Sequence, residues 1–367
     1  MNILYVVSGI ESYSGATKQA INLAKYMAKE NYNISILDIS PSGDNSESNI
    51  EVNGAFFNLL KLNSELGFIR QIRMLYRYLK SNNIKLVHFH IYWPKLLILC
   101  KTLKIKTILK TTLYKSDDYS TLTKNKGIIK KKITKYILKN IDINVVLTQQ
   151  LYEINKAIVG EESNIKIIPN GVNIKTKNID KVIKREAVFC CVGVVCERKG
   201  TLESILYFNN NYASINGSRL LIAGPYDGEI QEASKEYYTK CLDTIRELKL
   251  GKKVEFLGNL SSDKLEQLYV KSIGLLFFSK REGMPNVVLE AMAINIVTIV
   301  APLDGVSSEI IDDTINGFIL DDINKAISFE QVKNIEDSNA PYLKVSKVFS
   351  FENISKQYKN IYRELEG

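Results

Sequence analysis

Gly274-Leu275-Leu276-Phe277-Phe278-Ser279-Lys280-Arg281-Glu282-Gly283-Met284-Pro285-Asn286-Val287-Val288-Leu289-Glu290-Ala291-Met292-Ala293 decides how this chain folds. It opens on a short apolar run, the signature of a strand buried on both faces of a parallel sheet. A polar loop carrying Glu282 follows. Pro285 suits the first turn of a helix, where its missing N–H is not needed. Glu290 then lies about one turn into that helix. In open α/β sheets ligands bind beyond the carboxyl ends of the strands, so chemistry is expected in this loop. The free N–H groups at the helix start favour an anion in the same place.

The same alternation extends in both directions. Near-continuous apolar runs predict strands at 3–7, 34–38, 85–90, 107–111, 144–147, 165–168, 188–195, 220–223, 254–257, 274–278 and 296–300. Helical spacing falls between them, notably over 15–29, 68–80, 261–269 and 286–293. Residues 352–365 form a last helix with Ile354, Tyr358, Ile361 and Leu365 on one face. Repeated strand–helix alternation requires right-handed crossovers and doubly wound sheets. The series runs twice: it ends near Pro169-Asn170-Gly171, a polar stretch at 173–178 reads as a linker or hinge, and it restarts at Val188. The expected fold is α/β, with two doubly wound Rossmann-like domains, 1–172 and 173–350, facing across a cleft. Residues 351–367 are expected as a C-terminal helix packing back on the first domain.

Composition bounds what such a chain does. At 367 residues it exceeds one ordinary core, and 45% apolar with 24% charged residues is a globular balance. No apolar run reaches the roughly 18 residues of a membrane-spanning helix. The start, Met1-Asn2-Ile3-Leu4-Tyr5, reads as a strand and not a signal peptide. Cys100, Cys190, Cys191, Cys196 and Cys241 form no Cys-x-x-Cys pair and are expected reduced and structural, which fits a cytoplasmic address. His88 and His90 are the only histidines, which excludes a histidine-rich metal site. A net charge of +9 points to a polyanionic partner. Nothing resembles a nucleic-acid module, which leaves an anionic membrane surface or phosphorylated ligands.

Glu282 and Glu290, with seven residues between them in a Glu-Gly-Met-Pro-Asn context, resemble the signature of glycosyltransferase family 4, a retaining family with the GT-B fold. The resemblance covers nearly the whole chain and is densest over 188–320. It implies that Glu290 binds the ribose hydroxyls of a nucleotide-sugar donor. It implies that Glu282 holds the donor sugar with Gly283, Met284 and Pro285, Asn286 standing beside them. A carboxylate accepts two hydroxyl hydrogen bonds at once, which suits a diol.

Gly193-Val194-Val195-Cys196-Glu197-Arg198-Lys199-Gly200 is similar to the family's phosphate-binding segment. A basic pair beside a glycine at a helix start makes a pyrophosphate clamp, Lys199 as a point charge and Arg198 as a planar fork. Val194 stands where many members carry a first arginine; whether Arg198 replaces that charge is left open by the sequence, and Lys199 is the firmer candidate. Gly15 and Ala16, after the first strand, stand where members have a glycine pair against the donor phosphates. His90 fits the histidine that members carry at a strand end near donor sugar and acceptor; a backbone-bonded structural histidine fits equally. Tyr92 either faces an acceptor or packs. Asn259 lies in a loop that approaches the nucleobase in relatives, and Glu309 opens a helix facing the donor; both also suit ordinary turns or caps.

The resemblance therefore implies a retaining hexosyltransferase that takes a nucleotide-diphosphate sugar, a UDP-sugar by preference, to a hydroxyl of a cell-envelope, capsular or lipid-linked glycan. Glu282, Lys199, Arg198 and His90 are the expected catalytic residues. No Asp-x-Asp motif is present, so no metal and no cofactor are expected, and Lys199, Arg198 and helix N-termini would stabilise the leaving diphosphate. Two other readings stand: a sugar-nucleotide epimerase of the same architecture, or a non-catalytic nucleotide-sugar-binding scaffold.

Lys124, Lys126, Lys130, Lys131, Lys132, Lys135 and Lys139 share a stretch with Ile128, Ile129, Ile133, Tyr136 and Ile137 at helical spacing. The residues 124–139 are either a core-packed helix with a solvated basic face, or a docking helix for the anionic inner face of a membrane.

Overall fold

The computed structural model describes residues 1–10, 15–40, 44–52, 54–63, 65–124, 126–174, 185–226 and 232–366. Two compact units form, Met1–Gly171 with Phe351–Gly367, and Val172–Ser350. The chain passes between them at 171/172, one residue before the boundary expected from sequence, and again at 350/351. The linker expected at 173–178 lies, from residue 175 on, outside the described residues, as does Ser14 ahead of Gly15.

The first unit holds a sheet of eight strands: β1 Asn2–Val7, β2 Asn33–Ser40, β3 Glu47–Val52, β4 Ala55–Asn63, β5 Leu86–Phe89, β6 Lys106–Thr111, β7 Ile143–Val146 and β8 Ile165–Ile167. Their order is β3-β4-β2-β1-β5-β6-β7-β8. All neighbours are parallel except the antiparallel pair β3 and β4. Sequence periodicity gave no strand over 47–63. For β3 the reason lies at the sheet edge, where it exposes Glu47, Ser48, Asn49 and Glu51; an edge strand pairs on one side only and needs no apolar run. β4 pairs on both sides, but Asn58 and Lys61 interrupt its apolar run. Gly54, at φ +76, turns the hairpin.

Helices Gly15–Lys29 and Phe351–Glu366 cover one face of this sheet, over Ile3, Tyr5 and Val7. The last helix thus belongs to the first unit, where its Tyr358 and Tyr362 are fully buried. Helices Phe68–Ser81, Pro94–Leu103 and Ile128–Lys139 cover the other face, over Leu4 and Val6. The helix Ile128–Lys139 buries Thr134, Ile137 and Leu138 while Ile128, Ile129, Ile133 and Tyr136 are exposed.

The second unit holds six parallel strands: β9 Val188–Val192, β10 Arg219–Ala223, β11 Val254–Gly258, β12 Gly274–Phe277, β13 Val297–Val300 and β14 Gly317–Ile319. Their order is β11-β10-β9-β12-β13-β14. β9 ends three residues earlier than its apolar run, because Gly193 leaves the sheet at φ +152. β14 was not visible in the sequence; three residues carry no period. Gly274 is dictated by packing, since a Cβ there would lie 2.7 Å from the Phe189 ring.

Beyond the strands the backbone keeps its ladder through glycines. Gly193 N–H donates to Ala223 O (2.9 Å) and Gly224 N–H to Gly258 O (2.8 Å). A Cβ on Gly224 would sit 1.8 Å from Gly193 O, so no other residue fits the crossing. This glycine-lined edge carries the residues described next.

Candidate active site

The candidate residues of the second unit follow the carboxyl ends of β9, β11, β12 and β13. After β9 the chain makes one turn of 3₁₀ helix, Glu197–Lys199, and enters helix Thr201–Asn211 through Gly200 at φ +69. A Cβ on Gly200 would lie 2.1 Å from Phe278 O. The loop after β9 is therefore pressed onto the loop after β12. Lys280 N–H donates to Arg198 O (2.8 Å), and Arg198 Nη1 donates to Arg281 O (3.1 Å).

This contact brings Arg198, Lys199 and Glu282 together. Lys199 Nζ stands 2.6 Å from Glu282 Oε1, and Arg198 Nη1 stands 3.2 Å from the same oxygen. Ser279 Oγ donates to it as well, at 2.7 Å. The other arm of Arg198, Nη2, meets Glu232 Oε2 at 2.7 Å and holds the Glu232 carboxyl below its usual range. The Lys199 side chain runs along Gly193, where a Cβ would lie 3.6 Å from its Cδ. Lys199, Arg198 and Glu282 are largely but not wholly covered, with side chains 19%, 27% and 14% exposed. Two cations and a hydroxyl converging on one carboxylate oxygen make a charge-assisted anion site, and a second anion would compete with Glu282 for the same donors.

Glu290 is half-buried on helix Asn286–Met292, and the buried Tyr269 donates its hydroxyl to Glu290 Oε2 at 3.2 Å. Pro285 sits at the cap and not in the first turn: its ψ of 106° is extended, and the helix starts at Asn286. Met284 and Pro285 are buried, Gly283 and Asn286 half-buried. Asn259 follows Gly258 and is exposed; Glu309 is the third residue, not the first, of the short helix Ser307–Ile310. Ser279, Glu232 and Tyr269 escaped the sequence reading. A tyrosine on the buried face of a helix, whose hydroxyl needs a partner, was the one signal for Tyr269.

In the first unit, Gly15 and Ala16 open helix Gly15–Lys29 after β1. Asp38, buried near the end of β2, holds the first residues after β1 by accepting from Gly9 N–H (2.6 Å) and Ile10 N–H (3.1 Å). His90 follows β5 and is buried, its ring 4.2 Å from that of His88 and 5.3 Å from that of Tyr5. His88 Nδ1 is 2.9 Å from Tyr362 Oη. His88 Nε2 and His90 Nε2 are buried without hydrogen-bond partners among the described residues. Burial drives both imidazoles well below their ordinary pKa, with Lys110 adding to the effect. Lys110, inside β6, is buried; its Nζ donates to Asn170 Oδ1 at 3.0 Å, and burial lowers its pKa to about 7. Tyr92 is half-buried against the unit's core, with Lys126 Nζ 5.9 Å from its ring centre.

Among the described residues no group of three or more His, Cys, Asp or Glu side chains is placed to hold a metal ion, and the five cysteines are free and buried.

Known proteins match both halves of the chain. Residues 173–347 match the family model for glycosyl transferases group 1, and residues 13–176 match that for glycosyltransferase family 4. An uncharacterized glycosyltransferase of Methanocaldococcus jannaschii is 29% identical over 181 residues, which cover 45% of this chain and 41% of that relative. Among solved structures, sucrose-phosphate synthase from Thermosynechococcus elongatus is similar with a TM-score of 0.74 at 18% identity, covering 99% of this chain and 98% of that one. Anabaena HepE, in complex with UDP and glucose, is similar with a TM-score of 0.71 at 16% identity over 99% of this chain and 100% of that one. A glycosyltransferase from Rickettsia africae has a TM-score of 0.73 at 17% identity, over 99% and 98%.

Proposed function

Because the chain belongs to the group 1, family 4 glycosyltransferases and has their GT-B fold, we propose that it moves a sugar from a nucleotide-diphosphate sugar, UDP-linked by preference, to a hydroxyl of a cell-envelope, capsular or lipid-linked glycan, retaining the anomeric configuration and needing no metal ion.

The convergence of Lys199 and Arg198 on Glu282 Oε1 carries this reading. In the proposed complex the diphosphate takes over the two cations, and Glu282 turns to the donor sugar. Arg198 reaches the same oxygen as Lys199, and in this reading it supplies the charge that Val194 cannot. Preorganised cations at the leaving phosphate stabilise charge as it develops and remove the need for an ion. Glu290, steadied by Tyr269, takes the ribose hydroxyls. The UDP seen in Anabaena HepE supports the choice of nucleotide.

The test is a panel of nucleotide sugars screened by thermal shift with EDTA present. A bound donor at 100 times its dissociation constant adds about 2.7 kcal/mol. The stabilising donor is then incubated with glycan acceptors. Acceptor-dependent nucleotide release that survives EDTA supports the proposal. An epimerised sugar formed without acceptor rejects it, as does a panel in which no nucleotide sugar stabilises the chain.

A further inference from the structure

The first unit carries an unusual helical layer. Helix Phe68–Ser81 packs against Pro94–Leu103, which packs against Ile128–Lys139. All three lie on the same face of the sheet, so their outer sides share one surface. The three helices contain no Asp or Glu. They contain eleven Lys and Arg residues, more than the +9 excess of the entire chain. Arg70, Arg73, Arg77 and Lys80 belong to the first helix, Lys95 and Lys101 to the second, and five lysines to the third.

The layer is also apolar outward. Fourteen large hydrophobic side chains are exposed among the described residues, and eight of them are on these three helices. On Ile128–Lys139, Ile129, Ile133 and Tyr136 recur at i, i+4 and i+7 and are 75%, 51% and 66% exposed, forming a stripe. Lys132, Lys135 and Lys139 form a second stripe beside it at i, i+3 and i+7, Lys139 also reaching Glu162 at 3.8 Å. Phe68, Ile69 and Tyr76 protrude among the arginines of the first helix, and Ile98 from the helix between.

We propose that this three-helix surface docks on an anionic lipid bilayer. Phosphates of a nucleic acid would pair with the cations but leave eight protruding apolar side chains against water. An acidic protein would need a hollow shaped to each of them. A bilayer satisfies both features without shape matching: isoleucines enter the acyl boundary, tyrosines rest at the headgroups, and lysines and arginines reach lipid phosphates along their apolar stems. Three helices packed in sequence on one face of the sheet offer their exposed side chains to such a surface together. The docking is independent of the nucleotide-sugar site in the second unit; it goes beyond the proposed transfer and would hold the enzyme where a lipid-linked acceptor resides.

The experiment is co-sedimentation of the full chain with phosphatidylcholine vesicles and with vesicles containing phosphatidylglycerol, at low and high salt. The wild type is expected to partition onto the anionic vesicles and to leave them at high salt. Lys132→Gln/Lys135→Gln and, on a different helix, Arg73→Gln/Arg77→Gln are each expected to weaken partitioning about tenfold or more, from about a fivefold effect per cation near the surface, and Ile129→Gln/Ile133→Gln is expected to weaken it about tenfold or more through lost apolar burial. Leu206→Gln, an exposed apolar residue of the second unit, is expected to change nothing. Every substituted side chain is exposed, so melting temperatures should match the wild type. No preference for anionic vesicles, or wild-type partitioning by the variants, overturns the proposal while leaving donor stabilisation by nucleotide sugars untouched.

Discussion

Lys199 and Glu282 come from loops after different strands of the second sheet and meet at 2.6 Å. The contact depends on Gly200, whose lack of a side chain lets the first loop lie against Phe278 O. In the proposed complex Lys199 faces the leaving diphosphate, and replacing it by alanine would remove that charge. Transfer is expected to fall on the order of 10²- to 10³-fold in kcat, the usual effect of deleting one preorganised electrostatic donor. Glu282→Ala should do the same through loss of sugar positioning. Circular dichroism and melting curves should be near wild type, because both side chains keep some access to water. Steady-state kinetics with the donor found by thermal shift checks this; wild-type rates in either variant would remove the residue from the mechanism.

Glu232 predicts an effect of opposite sign. It occupies one arm of Arg198 at 2.7 Å and so competes with any phosphate for that guanidinium. Glu232→Gln should tighten binding of the nucleoside diphosphate. The side chain is 52% exposed, and pairs of that kind contribute little, so the gain is about two- to fivefold and fades with added salt. Isothermal titration at two ionic strengths measures it. Unchanged or weaker binding would mean that Arg198 does not face the phosphates.

These contacts show what the sequence discloses and what it withholds. Strands β9, β10, β12 and β13 are legible because burial on both faces forces continuous apolar runs. The edge strand β3 is not, since nothing packs on its outer side. The carboxylates Glu282 and Glu290 are visible as a local pattern in one loop and helix. Their partners are not: Ser279 is an ordinary loop serine by sequence, and Glu232 lies in a polar stretch remote from both loops. Lys110 was legible in principle, as a lysine between Leu109 and Thr111 inside an otherwise buried strand, but a strand-end lysine usually reaches solvent. Only the fold shows it covered by Asn170 and the Tyr358 ring.

Tyr269 tests the role of Glu290. Its hydroxyl orients the carboxylate from a buried position. Tyr269→Phe keeps the packing and removes one hydrogen bond to a charged group, a change of about 1.5–3 kcal/mol at most. If Glu290 grips the donor ribose, KM for the donor should rise roughly threefold to tenfold, with kcat little changed, because the ribose is held equally in ground and transition states. A drop in kcat at constant KM would place Glu290 at the reacting centre instead.

Lys110 makes stability depend on pH in a defined window. Burial lowers its pKa to about 7 in the folded chain, against 10.5 for the free side chain. Between these values the unfolded chain binds the proton and the folded chain does not, so stability rises as pH increases from about 7 toward 10.5. Below pH 7 both states are protonated, and the folded state carries the penalty of a buried ammonium that donates to the neutral Asn170. His88 and His90 also have lowered pKa values, but their window lies below 6.5, where stability falls as acid protonates the unfolded imidazoles. Lys110→Met removes the charge while keeping most of the volume. The variant should be more stable than wild type at pH 6.8, and that advantage should shrink steadily as the pH approaches 10. Urea unfolding of both proteins across this range measures the difference directly. A pH-independent difference between them would mean that Lys110 keeps its proton, and that water or an anion reaches it in the folded chain.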